Sequence, residues 1–409
     1  MDFLLRVLTL NCWGIPFPHP IGSKDRRERM QAIAKKIAHG SYHIVTLQEV
    51  WSEEDYQLIA TMAKESLPYS YYFHSGFNGS GCCILSAWPI VDSLMHRYSL
   101  NGFAHHIHRG DWFGGKVVGM VQIRRGSTVI NVYTSHLHAE YDRENDLYHP
   151  HRLVQAWELA RFMGHTSAGA DLAILAGDLN LEPGDIGMQV IIENARLHDA
   201  WLYRPRKEGE ENEEGATCDR PSNLYGFRGD LQRCPQGKRI DYILYNHKDH
   251  VEMSVERCEV MADKVPEHEE LDISDHQAIE ADFRVQIAAL SAGLNRVNSV
   301  AAAGEFVSVE RRANLQKAVK LMSEGVERAA SDRLLFLGAA VALITAAIYT
   351  INMELEIPGF AVFAIPGRFL LSLVIGFCAW HGLVLLPMEM KALKATTAAI
   401  DVFLSAKTS

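Results

Sequence analysis

The chain has no surplus of positive charge. Lys and Arg number 40 against 50 Asp and Glu, a formal net charge of −10, and the acidic excess lies in residues 1–284. Such a domain exerts no general pull on a phosphate polymer, so nucleic acid is not an expected partner. Cysteine is sparse as well. The spacing of Cys12, Cys82, Cys83, Cys218, Cys234, Cys258 and Cys378 fits neither a zinc site nor a disulfide framework. Cys82 and Cys83 sit together in an apolar run, which suits buried reduced thiols. The opening Met1-Asp2-Phe3-Leu4-Leu5-Arg6 carries an acid and lacks a long apolar core, so no secretory signal is expected and the main domain is expected to be cytosolic. There is no internal repeat and no Gly-x-Ser-x-Gly elbow, which argues against a serine hydrolase. A Walker A loop is missing too. Gly114-Gly115-Lys116 is either a glycine turn leading into a strand or a way of bringing Lys116 to a phosphate.

What is present is an alternation of apolar strands and amphipathic helices. Short β-rich runs at 6–10, 43–47, 82–86, 117–123, 129–134, 172–176, 239–245 and 278–283 read as strands,. Helices are expected at 26–38, where Met30, Ile33, Ala34 and Ile37 form one stripe, from about Glu53, and from about Pro150 to Met163,. The pattern predicts an α/β domain with sheet-centred layers. Residues 204–223 are acidic and predict a mobile surface loop.

Polar residues collect where these strands end, the place where open α/β sheets gather their chemistry. Asn11 follows the first strand, Glu49 the second, His136 and His138 another, and Asp178 and Asn180 another. A carboxylate that ends an apolar strand is costly, and Glu49 suits a hard ion such as Mg²⁺, with Asn11 as a neutral oxygen donor beside it. Asp178 and Asn180, two apart, share one face of an extended chain and suit a phosphate with its attacking water. Asp241 lies inside an apolar strand, and its natural role is to hold His276 of Ser274-Asp275-His276 in one tautomer as a general base. His136, or His138 in its place, would donate a proton or a hydrogen bond to phosphate oxygens. This set of groups predicts water attack on a phosphodiester.

Beyond residue 285 the composition changes. Residues 288–304 read as a linker and 305–331 as an amphipathic juxtamembrane helix, so that 285–333 separates a catalytic domain, 1–284, from an apolar C-terminal region, 334–387. The runs 334–351 and 369–387 within that region carry no Asp, Glu, Lys or Arg and are long enough to cross a bilayer. Lys and Arg flank the pair on its outer sides, which places both ends, including the tail 388–409, in the cytosol.

Gln48-Glu49, Gly177-Asp178-Leu179-Asn180, Arg239-Ile240-Asp241-Tyr242 and Ser274-Asp275-His276, in that order, resemble the endonuclease/exonuclease/phosphatase superfamily. That resemblance implies a DNase I-like four-layer α/β sandwich, here followed by a C-terminal two-helix transmembrane hairpin. Leu10-Asn11-Cys12-Trp13-Gly14-Ile15-Pro16, Gln48-Glu49-Val50-Trp51, Gly110-Asp111-Trp112-Phe113-Gly114-Gly115-Lys116 and Thr134-Ser135-His136-Leu137-His138-Ala139-Glu140-Tyr141 resemble the neutral sphingomyelinases within it. The resemblance implies a Mg²⁺-dependent enzyme that cleaves membrane sphingomyelin to ceramide and phosphocholine, with the endoplasmic reticulum as its site. Glu49, Asn11 and Asp275 would hold the metal, Asn180 would orient the phosphate, and Asp178 would support the water. His276 would act as base, Asp241 as its partner, and His136 as stabiliser. The alternative substrate is a lyso-choline phospholipid. Phe103, Trp112 and Phe113, in the glycine-containing segment 99–116, either dip into the lipid interface or close an edge of the core.

Overall fold

The computed structural model describes residues 2–18, 20–206, 212, 214–226, 234–288, 307–357 and 359–406. It divides into two compact units, Met1–Tyr148 with Gln155–Glu305, and His149–Val154 with Phe306–Ser409. The expected linker, 288–304, falls outside the described residues except for Ala288, as do Glu208, Glu210, Glu211 and Glu213 of the acidic loop.

In chain order the first unit runs through β1 (Asp2–Asn11), α1 (Arg26–His39), β2 (Ile44–Gln48), α2 (Glu53–Met62), β3 (Tyr69–Tyr72), β4 (Cys83–Ser86) and β5 (Ile90–Arg97). The short helix α3 (Asp111–Gly114) precedes β6 (Val117–Arg125) and β7 (Thr128–Ser135), and α4 (His149–Thr166) leads to β8 (Leu172–Asp178). Then come α5 (Ile186–Ala195), β9 (His198–Asp199), α6 (Ala200–Tyr203), β10 (Asp241–His247), β11 (Val251–Met261), β12 (Lys264–Val265), β13 (His268–Asp272) and β14 (Ala278–Ile287). Two six-stranded sheets result, ordered β11-β14-β1-β2-β4-β3 and β5-β6-β7-β8-β10-β9.

Alternation along β1 sorts its side chains between two cores. Leu5 and Val7 face the second sheet, packing with Val121, Ile130, Val132, Ile174 and Ile243. Leu8 and Leu10 face the helices, with Met30, Ile33, Ala34 and Ile37 of α1 and Ile59 of α2. Each such fully buried aliphatic side chain contributes roughly 1.5–3 kcal/mol. On the outer face of the second sheet, Tyr133 of β7 bonds Thr166 of α4 at 2.8 Å and packs edge-on against Phe162. The order helices, sheet, sheet, helices is the DNase I-like α/β sandwich.

One polar cluster stands out in the first sheet. Glu280 of β14 accepts from Lys36 Nζ at 2.8 Å, Tyr42 Oη at 2.6 Å and Arg257 at 3.1 Å. Burial alone would raise its pKa, but the bonds from Lys36 and Tyr42 hold it below the ordinary value. A depressed carboxylate stabilises the fold above its unfolded pKa, and that contribution is lost as pH falls. Glu280→Gln is therefore expected to cost about 1–3 kcal/mol at neutral pH and much less near pH 3. Urea unfolding at the two pH values checks this, and an equal cost at both would refute it.

In the second unit, α7 (Val309–Glu356), α8 (Ala361–Trp380) and α9 (Leu386–Ala406) follow. The expected juxtamembrane helix and first span are not separate elements: α7 carries both without a break. A π-helical turn, His381–Leu385, likewise joins α8 to α9. Nothing interrupts α7 where amphipathic sequence gives way to apolar sequence, since that junction contains no proline and its glycine, Gly338, is tolerated. Two helices, Val309–Glu354 and Ala361–Ala406, are long and apolar enough to cross a membrane. Val341, Tyr349, Phe363 and Phe369 along them are exposed, whereas Leu315, Met322, Leu393 and Ile400 are buried.

Candidate active site

Strand direction brings the polar residues to one end of the sandwich. β1 and β2 run parallel, as do β7 and β8, so Asn11, Glu49, His136 and Asp178 all lie at carboxyl ends. β10 and β14 run antiparallel to their neighbours, which brings their amino ends to the same place. Asp241 pairs directly with Asp178, and His136 forms a bridge to Asp178. Glu49 and Asn180 adopt left-handed backbone, φ 55° and 47°, a conformation that costs non-glycine residues energy and concentrates at functional sites.

A cleft of about 170 Å³ opens here, lined by Glu49, His136, Asp178, Asn180 and His276 among others. Asp241 Oδ2 accepts from His276 Nδ1 at 2.8 Å and from the Thr217 hydroxyl at 2.6 Å. With Nδ1 donating, the lone pair of the neutral ring sits on Nε2, 4.0 Å from Asp178 Oδ2,. Burial would lower the His276 pKa, but Asp241 and Cys218 raise it well above the usual value. His136 is pushed the other way by burial and by Lys116, so it is neutral at pH 7. Its Nε2 lies 3.5 Å from Asp178 and 3.9 Å from Glu49.

Negative charge is crowded. Burial and then Asp241 raise the Asp178 pKa to about 7. Asp275 rises to about 6, from burial and the charge of Glu49. Asn11 Nδ2 stands between the carboxylates, 2.9 Å from both Glu49 Oε1 and Asp178 Oδ2. The amide thus offers its NH₂ where an oxygen donor was expected, because its oxygen accepts from Trp13 N at 3.0 Å. Among the described residues, Asp178, Asp241 and His276 can each bring one ligand atom within 4.8 Å of the others. Asp178 and Asp275 are carboxylates whose negative charge lacks a full counter-charge, and a hard divalent cation, which takes ionised oxygen donors, would supply one,.

Lys116 does not line the cleft. It is buried, with Nζ 3.0 Å from Leu137 O and 3.0 Å from Asp111, which in turn accepts from Tyr141. Leu137 O also accepts from Asn180 Nδ2 at 3.0 Å, so Lys116 supports the turn that presents Asn180. His138 is buried too, stacked on Tyr148 with ring centroids 4.1 Å apart and Nε2 turned toward Asp111. Of the two histidines, His136 is the one that reaches the cleft.

Two supports carry no signal that the sequence pattern exposes. Arg29 of α1 is fully buried and donates to Cys12 O, Trp13 O and Ile273 O at 3.0, 2.8 and 3.1 Å, fixing the segments that carry Asn11 and His276 together. Thr217 falls within the expected mobile loop, yet it is fully buried. Thr217 N bonds Lys238 O at 2.8 Å, and Gln277 N bonds Thr217 O at 2.7 Å. The run of glutamates before it signals solvent, and nothing local marks the residue beyond.

The chain belongs to the endonuclease/exonuclease/phosphatase family, whose profile matches residues 8–276. It is 43% identical to a putative neutral sphingomyelinase of Caenorhabditis elegans over 98% of this chain and 91% of that protein. It is 41% identical to sphingomyelin phosphodiesterase 2 of Homo sapiens over 69% of this chain and 65% of that protein. A solved structure of Staphylococcus aureus beta toxin with bound magnesium ions superposes with a TM-score of 0.52 at 17% identity, covering 70% of this chain and 99% of the toxin; at that identity it supports the fold.

Proposed function

We propose that the protein hydrolyses sphingomyelin to ceramide and phosphocholine, with Mg²⁺ as cofactor and its two apolar helices in a bilayer. The observation that carries this is the Asp241–His276 pair facing Asp178 across a cleft crowded with carboxylates, in a chain similar along nearly its whole length to a neutral sphingomyelinase.

In the fraction of the protein where Nε2 is unprotonated, His276 accepts a proton from water, and Asp241 stabilises the imidazolium that forms. Because the His276 pKa is raised, turnover is expected to climb as pH rises. Asp178 receives the water's second hydrogen bond, and Asn180 and His136 donate to phosphoryl oxygens as charge builds there. His136, held neutral, acts as a hydrogen-bond donor rather than an acid. The leaving ceramide oxygen therefore takes its proton from solvent, while His276 sheds the one it gained from the attacking water. Glu49, Asp178 and Asp275 would hold Mg²⁺, with Asn11 contributing its oxygen once its amide is turned over. The ion would offset negative charge on the phosphoryl group and on the leaving ceramide oxygen. The substrate's lipid tails, the apolar pair and the outer lysines and arginines favour a membrane protein with a cytosolic catalytic domain, and the similarity to neutral sphingomyelinases favours the endoplasmic reticulum.

The test is release of phosphocholine from sphingomyelin in detergent micelles. We expect release with Mg²⁺ and loss of at least about 100-fold in EDTA, reversed by added Mg²⁺. Robust release from lysophosphatidylcholine but not from sphingomyelin would replace the substrate while keeping the chemistry.

A further inference from the structure

Large apolar side chains are exposed around the mouth of the catalytic cleft, on four segments that the sheets themselves bring to that end. The segment after β1 carries Phe17 and Ile21 and is tied to the site by Gly14 N bonding Glu49 O at 2.9 Å. The turn before β4 carries Phe77, with Val50 N bonding Gly81 O at 2.9 Å. The segment before β6 carries Ile107 and Trp112 and enters the sheet where Val118 pairs with Ser135, next to His136. Leu224 follows Cys218, which is bridged to His276. Phe77 is 88% exposed, Ile21 74% and Ile107 68%. Phe103, the other candidate in this region, is buried and packs on Tyr148; it closes the core edge.

These tips are held, not frayed. Phe77 N bonds Phe113 O at 2.8 Å, and Gly76 and Gly115, both at positive φ, meet so closely that a Cβ on Gly115 would lie 2.5 Å from Gly76 Cα. On the other pair of segments, Tyr225 Oη donates to Asp25 at 2.8 Å and its ring lies 5.1 Å from Trp13. Trp51 links rim to site, donating to Glu49 at 3.4 Å and lying within 3.1 Å of where a Cβ on Gly114 would stand. Clustered exposed apolar residues on a rigid frame mark an interaction surface.

Charge selects the partner. Within 12–25, 74–81, 99–116 and 219–226, Lys24, Arg109, Lys116 and Arg220 stand against Asp25, Asp111 and Asp219, a net of +1, with Lys116 buried against Asp111. An acidic domain with a nearly neutral, apolar rim around its cleft matches a zwitterionic lipid surface rather than an anionic one or a protein of one charge. We propose that this rim, led by Phe77, Ile107 and Trp112, enters the headgroup layer of a zwitterionic bilayer and brings the cleft to the phosphate of a lipid in place. The inference rests on the lipid phosphodiesterase reading, and it assigns docking to the catalytic domain's own loops in addition to the apolar hairpin.

The experiment uses the full chain. Phe77→Ser/Ile107→Ser/Trp112→Ser is compared with the parent on sphingomyelin in phosphatidylcholine vesicles and on a short-chain sphingomyelin below its critical micelle concentration. We expect a loss of about 10-fold or more on vesicles and less than about 2-fold on the monomeric substrate. In vesicles of brominated phosphatidylcholine, Trp112→Phe should also remove part of the tryptophan quenching seen in the parent. Equal loss on both substrates, or no loss on either, overturns the proposal, as does unchanged quenching. Should the parent hydrolyse neither substrate, the lipid phosphodiesterase reading fails, and the quenching difference alone decides the docking.

Discussion

His276→Ala is expected to lower turnover of sphingomyelin by about 10³–10⁴-fold while leaving substrate affinity within a few-fold. Without the imidazole no group in the cleft is both placed and basic enough to take the water's proton. Asp178 is within reach, but Mg²⁺ held beside it would remove the basicity that burial and Asp241 give it, and Asp241 is occupied by Thr217. Asp241→Asn should lose nearly as much, because an amide that donates to Nδ1 turns the lone pair away from the substrate. Thr217→Val should lose far less, since it only orients the carboxylate. The raised His276 pKa also fixes the sign of a stability effect. The His276–Asp241 pair stabilises the fold fully below about pH 6.5, the unfolded histidine value, and that contribution fades as pH rises through the folded pKa. Thermal unfolding of His276→Ala should therefore differ from the parent most under mildly acidic conditions. A folded His276→Ala enzyme with a tenth of the parent's turnover would sink the assignment of the base.

Asp178→Asn should make the metal-free protein more stable and the enzyme nearly inactive. Asp178 titrates at about 7 because it is buried beside Asp241. An acid whose folded pKa lies above its unfolded value binds more protons in the folded state. Its share of stability is present at low pH and is lost as pH rises from about 4, the unfolded value, toward the folded one. In EDTA the parent should lose about 1–3 kcal/mol over that interval from this group, and Mg²⁺ should restore much of it at pH 7.5 by mass action. Asp178→Asn removes the repulsion, so at pH 7.5 in EDTA it should gain a similar amount, with a flatter pH profile and little response to Mg²⁺. Turnover should fall by about 10²–10⁴-fold, the trade expected where an active site stores destabilisation. If the variant unfolds more easily than the parent at pH 7.5 in EDTA, the carboxylate crowding has been misread.

Much of the site could be read from the chain because each residue sits at a strand end, and strand ends are marked by local pattern. Glu49 after Ile44-Val45-Thr46-Leu47-Gln48 and Asp178 after Leu172-Ala173-Ile174-Leu175-Ala176-Gly177 are carboxylates at the close of apolar runs, visible without any neighbour. The two-residue strand β9 and edge strand β3, with its side chains only partly buried, carry weaker signals, since an edge has less hydrophobic demand,.

Sequence by itself determined the α/β alternation, the apolar helices, and the identity of the groups at the strand ends, because hydrophobic periodicity and the cost of a charge after an apolar run are local properties. Only the tertiary structure decided which of those groups act together. It separated His136 from His138, turned Lys116 under the floor of the cleft, exposed Phe77 while burying Phe103, and brought Thr217 and Arg29 to the residues they hold. Each of these depends on contacts between positions tens or hundreds of residues apart, such as Arg29 with Ile273 and Asn11 with Asp178. Burial and pKa are sums over such neighbours, and no window of the chain contains them.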